Sequence, residues 1–208
     1  MANIPSDPPS RGLKDKVAIV TGAGCAGDSI GNGRAISIML ADEGCNVLCL
    51  DLNLEWASKT AEMASSKPSR GTVIPIRSDV TSASDCEAAV NLALSKFGRL
   101  DILINNVGIG GAAGTAVDVD MEAWAEGLAI NMLYTPMVYA KGMSEEAREA
   151  RKKRSLLGTE GNGWDCACAV VFLASNHARW ITGAILPVDA GATAAVGIGM
   201  PKSASVNG

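Results

Sequence analysis

The first half of the chain alternates short apolar runs with segments whose apolar residues recur every three or four positions. The runs predict strands at residues 17–21, 46–51, 72–77 and 100–106, and the segments between them predict helices at 33–43, 54–65 and 84–97. The run NVLCLD at 46–51 is apolar almost throughout, as is typical of a parallel strand buried on both faces. The pattern therefore predicts an α/β fold with a doubly wound parallel sheet.

The second half is less regular. SEEAREARKKR at 144–154 predicts a capped, solvated helix that carries an intrahelical pair between Glu149 and Lys153. GNGWDCACAVVFLAS at 161–175 is more apolar and predicts a last core helix, followed by a final strand at 184–188. A charged face that binds a partner is the alternative interpretation of 144–154.

Residues 1–14, which contain several prolines, and residues 192–208, which are rich in Gly, Ala and Ser, predict flexible tails around one domain at 15–191. The net charge of -4 and the pI near 5.1 argue against a nucleic-acid surface. No apolar run approaches the ~20 residues that span a bilayer, and the first residues lack the apolar core of a secretory signal. We therefore expect a cytoplasmic protein without nucleic-acid or membrane partners.

The number and spacing of the cysteines and histidines limit which redox, metal or hydrolase sites the sequence can form. The six cysteines lack paired C-x-x-C spacing and mostly lie in apolar patterns, which predicts reduced core residues. A redox or metal-binding role for Cys166 and Cys168 is the alternative. Because His177 is the single histidine, the sequence disfavours a zinc site or a Ser-His-Asp hydrolase, and we expect no metal.

The stretch VAIVTGAGCAGDSIGNGRA, Val17 to Ala35, joins the first strand to the first helix through a glycine-rich turn. Glycine lets the backbone approach a pyrophosphate, and a helix N-terminus offers free N–H groups to an anion. Similar turns also join strands to helices in proteins that bind no nucleotide. Alone, the turn leaves both interpretations open.

Asp51 ends the second strand ~20 residues beyond the glycine turn, where a carboxylate can accept hydrogen bonds from the ribose hydroxyls of an adenosine. A carboxylate at this point repels a 2′-phosphate, so the position favours NAD over NADP, with NADP still possible. The alternative is that Asp51 caps the following helix, although Asn53 is also placed to be that cap.

Several motifs together resemble the short-chain dehydrogenase/reductase family over most of residues 17–191. They are TGAG at 21–24, IGNGRA at 30–35, Asp51, Asp79-Val80, NNVG at 105–108, Asn131, and ITGAILPVDAG at 181–191. The resemblance implies a Rossmann-type fold and a reaction that interconverts an alcohol and a ketone with NAD(P). It also implies a small-molecule substrate and a homo-oligomer.

The resemblance also implies roles for individual residues. Asp79 would bind the adenine amino group with Val80 beside the ring, and Thr135 would contact the nicotinamide amide. Asn105 and Asn106 would brace the central strand and the loop beside the cofactor. Asn131 would belong to the catalytic tetrad. The implied cofactor-binding residues are Gly22, Gly24, Ile30, Gly31, Asn32, Gly33, Asp51, Asp79, Val80, Asn105, Asn106, Gly108 and Thr135. The turn is longer than the family's, and we expect residues 25–30 to fold over the pyrophosphate.

The sequence departs from the family at the proton donor. The family uses a tyrosine whose pKa is lowered by a lysine four residues later, one helical turn away. The chain has only Tyr134 and Tyr139, and Val138 and Met143 follow them at that spacing. The serine of the tetrad, expected on a fifth strand, is also missing, so Asn131 is the one tetrad member that remains.

The missing residues can be placed at a seam, residues 131–135. In the family, the end of a helix, two strands and another helix lie between the counterparts of Asn131 and Tyr134. In this chain only Met132 and Leu133 separate these two residues. Such elements amount to roughly 40 residues. The chain thus resembles an internally shortened member without the fifth and sixth strands and without most of the helices through which the family dimerises. We expect an unstable or rearranged second half, and either an oxidoreductase or a catalytically inactive nucleotide-binding protein or truncated product.

Overall fold

The computed structural model describes residues 10–65, 71–108, 144–153 and 155–192. The first part contains four strands and three helices, and the second contains two helices and a short 3-10 helix. In chain order they are β1 (Val17–Thr21), α1 (Asn32–Asp42), β2 (Asn46–Asp51), α2 (Leu54–Ser65), β3 (Val73–Arg77), α3 (Ala83–Phe97), β4 (Ile102–Ile104), α4 (Glu145–Lys152), α5 (Gly163–Ala174) and the 3-10 helix (Asn176–Ala178). The seam, Asn131 and Thr135 lie outside the described residues, as do the tails at 1–9 and 193–208.

The strands form a parallel sheet in the order β3-β2-β1-β4. Because β1 is central and the chain reverses direction across the sheet after β3, the order is that of a Rossmann-type fold. The predicted α/β class is confirmed, and the predicted bounds of β1, β2 and α2 agree with the structure.

Both faces of the central strands are buried, since alternate residues of β1 and β2 join two separate cores. Ala18, Val20, Val47 and Cys49 pack towards α1, α2 and α5. The other residues of these strands pack towards α3 through Ala89 and Ala93. Near-continuous apolar runs are therefore required at these strands, as the sequence predicts.

Local signals fix the ends of the helices. The Ser82 side chain accepts a hydrogen bond from the Asp85 N–H at the start of α3, and Gly98 ends that helix in the left-handed conformation. At the start of α5, Asn162 and Asp165 form a reciprocal capping box. The Ser144 hydroxyl accepts a hydrogen bond from the Ala147 N–H and so begins α4.

Several predictions for single elements were wrong. Residues 184–188 form no strand, and β4 is limited to Ile102–Ile104 because it pairs with β1 over three residues only. Glu149 pairs with Lys152 rather than with Lys153. Cys86 and Cys168 are exposed, whereas Cys25, Cys45 and Cys49 are buried as predicted, and all six thiols are free.

Candidate functional site

The predicted cofactor residues of the first half gather at the carboxyl ends of the four strands. Gly22 follows β1, Asp51 ends β2, Asp79 lies two residues beyond β3, and Asn106 lies two residues beyond β4. Parallel strands place these ends at one edge of the sheet, which is where open α/β sheets bind their ligands.

The glycine turn is closely packed against the start of α1. A Cβ at Gly33 would lie 2.1 Å from the carbonyl oxygen of Gly22 and 2.6 Å from the Asn106 side-chain nitrogen. Gly22 itself has a φ of +59°, in the left-handed region. Both positions therefore require glycine.

Asn106 holds this turn in place. Its side-chain nitrogen donates to the carbonyl oxygens of Thr21 and Gly22, each at 3.0 Å. Its backbone N–H donates to the Thr21 hydroxyl at 3.0 Å, and that hydroxyl donates to the carbonyl of Ile104 at 3.2 Å. Asn105 is exposed, and its side chain forms no hydrogen bond within the described ranges. Of the two asparagines, Asn106 is thus the one that braces the turn.

Asp51 connects the turn to the next helix. Its Oδ2 accepts a hydrogen bond from the Gly24 N–H at 2.8 Å, and its Oδ1 accepts one from the Asn53 N–H at 3.0 Å. Asn53 caps α2, because its Oδ1 accepts from the N–H groups of Glu55 and Trp56. Asp51 is therefore not the helix cap. A carboxylate has about four lone-pair positions, so two remain for ligand hydroxyls.

The longer part of the turn, residues 25–30, is organised by Arg34, a residue for which the sequence predicted no role in the site. The side chain of Arg34 is fully buried, and burial lowers its pKa. Its guanidinium donates to the carbonyls of Cys25 at 2.6 Å, Gly27 at 2.8 Å and Ser29 at 2.5 Å. An arginine in the first turn of a helix gives no sequence signal for such a role.

Arg34 is also joined to α2. Its Nε donates to the Thr60 hydroxyl at 3.1 Å, and that hydroxyl lies 2.8 Å from the carbonyl of Ala23, to which it donates. At the exposed tip of the loop, Asp28 lies 3.3 Å from the Lys59 ammonium. The loop therefore rests on α2 on its inner side.

Asp79 and Val80 lie between β3 and α3, where both are accessible. The Asp79 Oδ1 accepts hydrogen bonds from the N–H and the hydroxyl of Thr81, at 2.8 and 2.7 Å, and these bonds hold the pKa of the carboxyl below its usual value. The Ser78 N–H donates to the carbonyl of Asp51 at 2.9 Å, which ties this loop to the end of β2.

The other predicted residues near the turn are partly buried. Ile30 and Gly31 contact the first residue of α5, since a Cβ on Gly163 would lie 3.0 Å from the Gly31 carbonyl. The Asn32 Oδ1 is buried and accepts no hydrogen bond within the described part of the chain. No atom of the described residues lies within 4 Å of the position that a Cβ on Gly108 would take.

Burial favours the neutral thiol over the thiolate at four of the six cysteines. Burial raises the pKa of Cys45 and of Cys49 to about 12, and it also raises the pKa values of Cys25 and Cys166. Among the described residues, no group of three or more His, Cys, Asp or Glu side chains is arranged to hold a metal ion. No described helix is long and apolar enough to cross a membrane.

The fold and the glycine turn define a Rossmann-type protein, and comparison with known proteins narrows the class. The sequence pattern of the family described as short chain dehydrogenase matches residues 16–150. That of a second family, described as enoyl-(acyl carrier protein) reductase, matches residues 132–193. The chain belongs to the short-chain dehydrogenase/reductase family.

Individual relatives match the first half most strongly. The chain is 31% identical over 123 residues to a cyclohexanol dehydrogenase from Acinetobacter sp., an alignment that covers 59% of this chain and 46% of the relative. It is 35% identical over 120 residues to a D-threitol dehydrogenase from Mycolicibacterium smegmatis, covering 58% of this chain and 43% of the relative. The chain thus spans less than half the length of these curated relatives.

A third relative spans both halves. The chain is 23% identical over 252 aligned positions to a meso-2,3-butanediol dehydrogenase from Serratia marcescens, covering 88% of this chain and 96% of the relative. Because the aligned 88% of the 208 residues amounts to about 183 residues, about 69 of the 252 aligned positions have no counterpart here. These positions lie within the aligned span, so the shortening is internal to the alignment; its placement at residues 131–135 stays a prediction.

Solved structures share the fold. A short-chain dehydrogenase/reductase from Burkholderia xenovorans superposes with a TM-score of 0.79 at 29% identity, covering 88% of this chain and 98% of that one. Levodione reductase superposes with a TM-score of 0.74 at 20% identity, covering 88% and 99%.

Proposed function

We propose that the chain binds NAD(H) at the glycine turn and that its full-length relatives use the corresponding site to interconvert alcohols and ketones. The contact between Asp51 and Gly24 carries the proposal: a Cβ on Gly24 would lie 2.7 Å from the Asp51 Oδ2, so the turn and the carboxylate form one cradle. When bound, the nicotinamide ring would supply or accept a hydride.

The residues present fit such a cofactor. The first N–H groups of α1 have no partner within the helix and face the glycine turn, where they would bind the diphosphate. The free lone pairs of Asp51 would accept the ribose hydroxyls. Asp79 and Val80 would hold the adenine, and Asn106 would keep the turn in shape.

The same carboxylate supports NAD as the preferred cofactor. A 2′-phosphate would have to approach the carboxylate of Asp51, which ends β2. The nearby cation, Lys59, is already paired with Asp28 and Glu62. Repulsion by the Asp51 carboxylate would weaken NADPH binding relative to NADH binding.

Titration of NADH and NADPH into the wild-type chain and Asp51→Asn tests the proposal. We expect NADH to bind more tightly than NADPH. Asp51→Asn should lower NADH affinity about tenfold, which corresponds to about 1.4 kcal/mol. It should also reduce the difference in affinity between NADH and NADPH. Glu55→Gln, an exposed change on α2, is the matched control and should change NADH affinity by less than about twofold. Equal NADH affinity in Asp51→Asn and wild type would contradict the proposal.

We propose that this polypeptide itself is a catalytically inactive nucleotide-binding protein. The supporting observation is the sequence around the seam, where neither tyrosine is followed by lysine at the fourth position. Without that pair no side chain is assigned to give a proton to the carbonyl oxygen, and hydride transfer would lack its acid. An active oxidoreductase with another proton donor is the second candidate, supported by the match of residues 16–150 to the dehydrogenase family.

Six free thiols, three of them buried, are consistent with the reducing environment of the cytosol, which we propose as the location. A small-molecule alcohol or ketone is the substrate class that we propose for full-length relatives.

A further inference from the structure

The longer loop of the glycine turn has an inner and an outer side. Three carbonyl oxygens, those of Cys25, Gly27 and Ser29, converge on the Arg34 guanidinium. The described peptides are all trans. In a trans peptide the N–H of the next residue points away from the carbonyl. The N–H groups of Asp28 and Ile30 are therefore turned to the opposite side of the loop.

These two N–H groups are unused. Within the described ranges no residue accepts a hydrogen bond from the N–H of Asp28 or of Ile30. Ile30 lies two residues before α1, whose first N–H groups also have no partner within the helix. The loop and the helix together present a set of backbone donors next to the glycine turn.

Arg34 does not itself face this donor set. Its side chain is fully buried, and its three nitrogens are engaged by Thr60 and by the loop carbonyls. A ligand on the outer side of the loop would meet the N–H groups and not the guanidinium. The arginine would act on the ligand only through the backbone that it holds.

We propose that Arg34 is a positioning residue that fixes the loop at 25–30 with its carbonyls inward, so that the loop's N–H groups bind the diphosphate of a dinucleotide. The inference rests on the proposed function, because it needs a nucleotide at the glycine turn. Arg34 would thus affect binding of the diphosphate half of the ligand, whereas Asp51 would bind the adenosine half.

Calorimetric titration of the full chain with ADP and with adenosine separates the two halves. In Arg34→Ala, we expect ADP affinity to fall by about tenfold or more, which corresponds to the loss of one hydrogen bond to a charged group. Adenosine affinity should stay within about twofold. Methylguanidinium, added to fill the vacated site, should restore ADP affinity to Arg34→Ala and leave the wild type unchanged. Arg34→Lys, which keeps the charge but not the planar fork, should rescue ADP affinity only partly.

Lys59→Ala is the matched control. Lys59 contacts the same loop at Asp28 but lies on the surface, so ADP affinity should change by less than about twofold. A folded Arg34→Ala that binds ADP as tightly as wild type, or that loses ADP and adenosine affinity equally, would overturn the inference. Failure of the wild-type chain to bind ADP or NADH would instead overturn the proposed function and, with it, this inference.

Nuclear magnetic resonance of the wild-type chain covers the case in which Arg34→Ala does not fold. Because the Asp28 and Ile30 N–H groups lack acceptors, their hydrogens should exchange quickly in the free protein and more slowly with ADP bound. Adenosine should leave them unprotected. Tight ADP binding without protection of either N–H would overturn the inference.

Discussion

At the scale of single residues, three side chains hold the backbone around the glycine turn: Asp51, Asn106 and Arg34. Asp51 and Asn106 end or follow strands, and their types match the ligand and backbone groups that meet at a sheet edge. Arg34 could not be predicted, because its burial depends on Thr60, which lies on another helix, and on carbonyls of a loop without a regular pattern. A side chain that binds backbone atoms leaves no trace in hydrophobic periodicity.

The pair Asn105 and Asn106 tests the site residue by residue. Asn106→Ala removes the donor to the carbonyls of Thr21 and Gly22, and unpaired buried groups cost about 1–3 kcal/mol. We expect the free energy of unfolding, measured by urea denaturation, to fall by that amount. Asn105→Ala, at an exposed neighbouring position, should change it by less than about 0.5 kcal/mol. Similar losses in both variants would show that Asn106 does not brace the turn.

At the scale of helices and strands, the central strands and the edge strand β3 were predictable from the sequence, whereas the extent of the edge strand β4 and the final strand were not. The bounds of β2 agree with its apolar run, since both of its faces are packed. β4 is shorter than its apolar run. Its residue Leu103 lies on the same side of the sheet as α3, yet its side chain is 57% exposed. The run at 184–188 has strand-like composition but no neighbouring strand among the described residues, and a strand needs a partner for its backbone groups.

Helix α5 provides a test at this scale, because it packs on α1 and carries the chain back to the glycine turn. Val171 is buried in this contact, whereas Leu173 on the same helix is exposed. Val171→Ala should lower the free energy of unfolding by about 1–3 kcal/mol, and Leu173→Ala by less than about 0.5 kcal/mol. Chemical denaturation measures both. If Val171→Ala were as mild as Leu173→Ala, α5 would not be docked on α1 in solution.

At the scale of the whole molecule, we expect the predicted internal gap to leave apolar surface without a cover. Trp180 and Ile185 are each 94% exposed, and they lie in the part of the chain that follows the predicted seam. The sequence predicted an unstable second half because the missing strands and helices would have packed there. The four-stranded sheet nevertheless retains two buried cores, so the cofactor-binding edge keeps its support.

Thermal unfolding followed together with light scattering tests this expectation. We expect the purified chain to unfold at low temperature or to aggregate, because exposed apolar patches favour association. Ile185→Ser should reduce scattering without lowering the unfolding temperature, since its side chain contributes little to the core. A cooperative transition well above ambient temperature without scattering would contradict the expectation.

The central claim is that this polypeptide holds the cofactor but does not transfer hydride. The most direct test follows the fluorescence of NADH over time with the wild-type chain and a panel of ketones. We predict an enhancement that saturates with protein and then stays constant after each ketone is added. A steady decay that is abolished in Tyr134→Phe or Tyr139→Phe, or the absence of any enhancement, would contradict the claim.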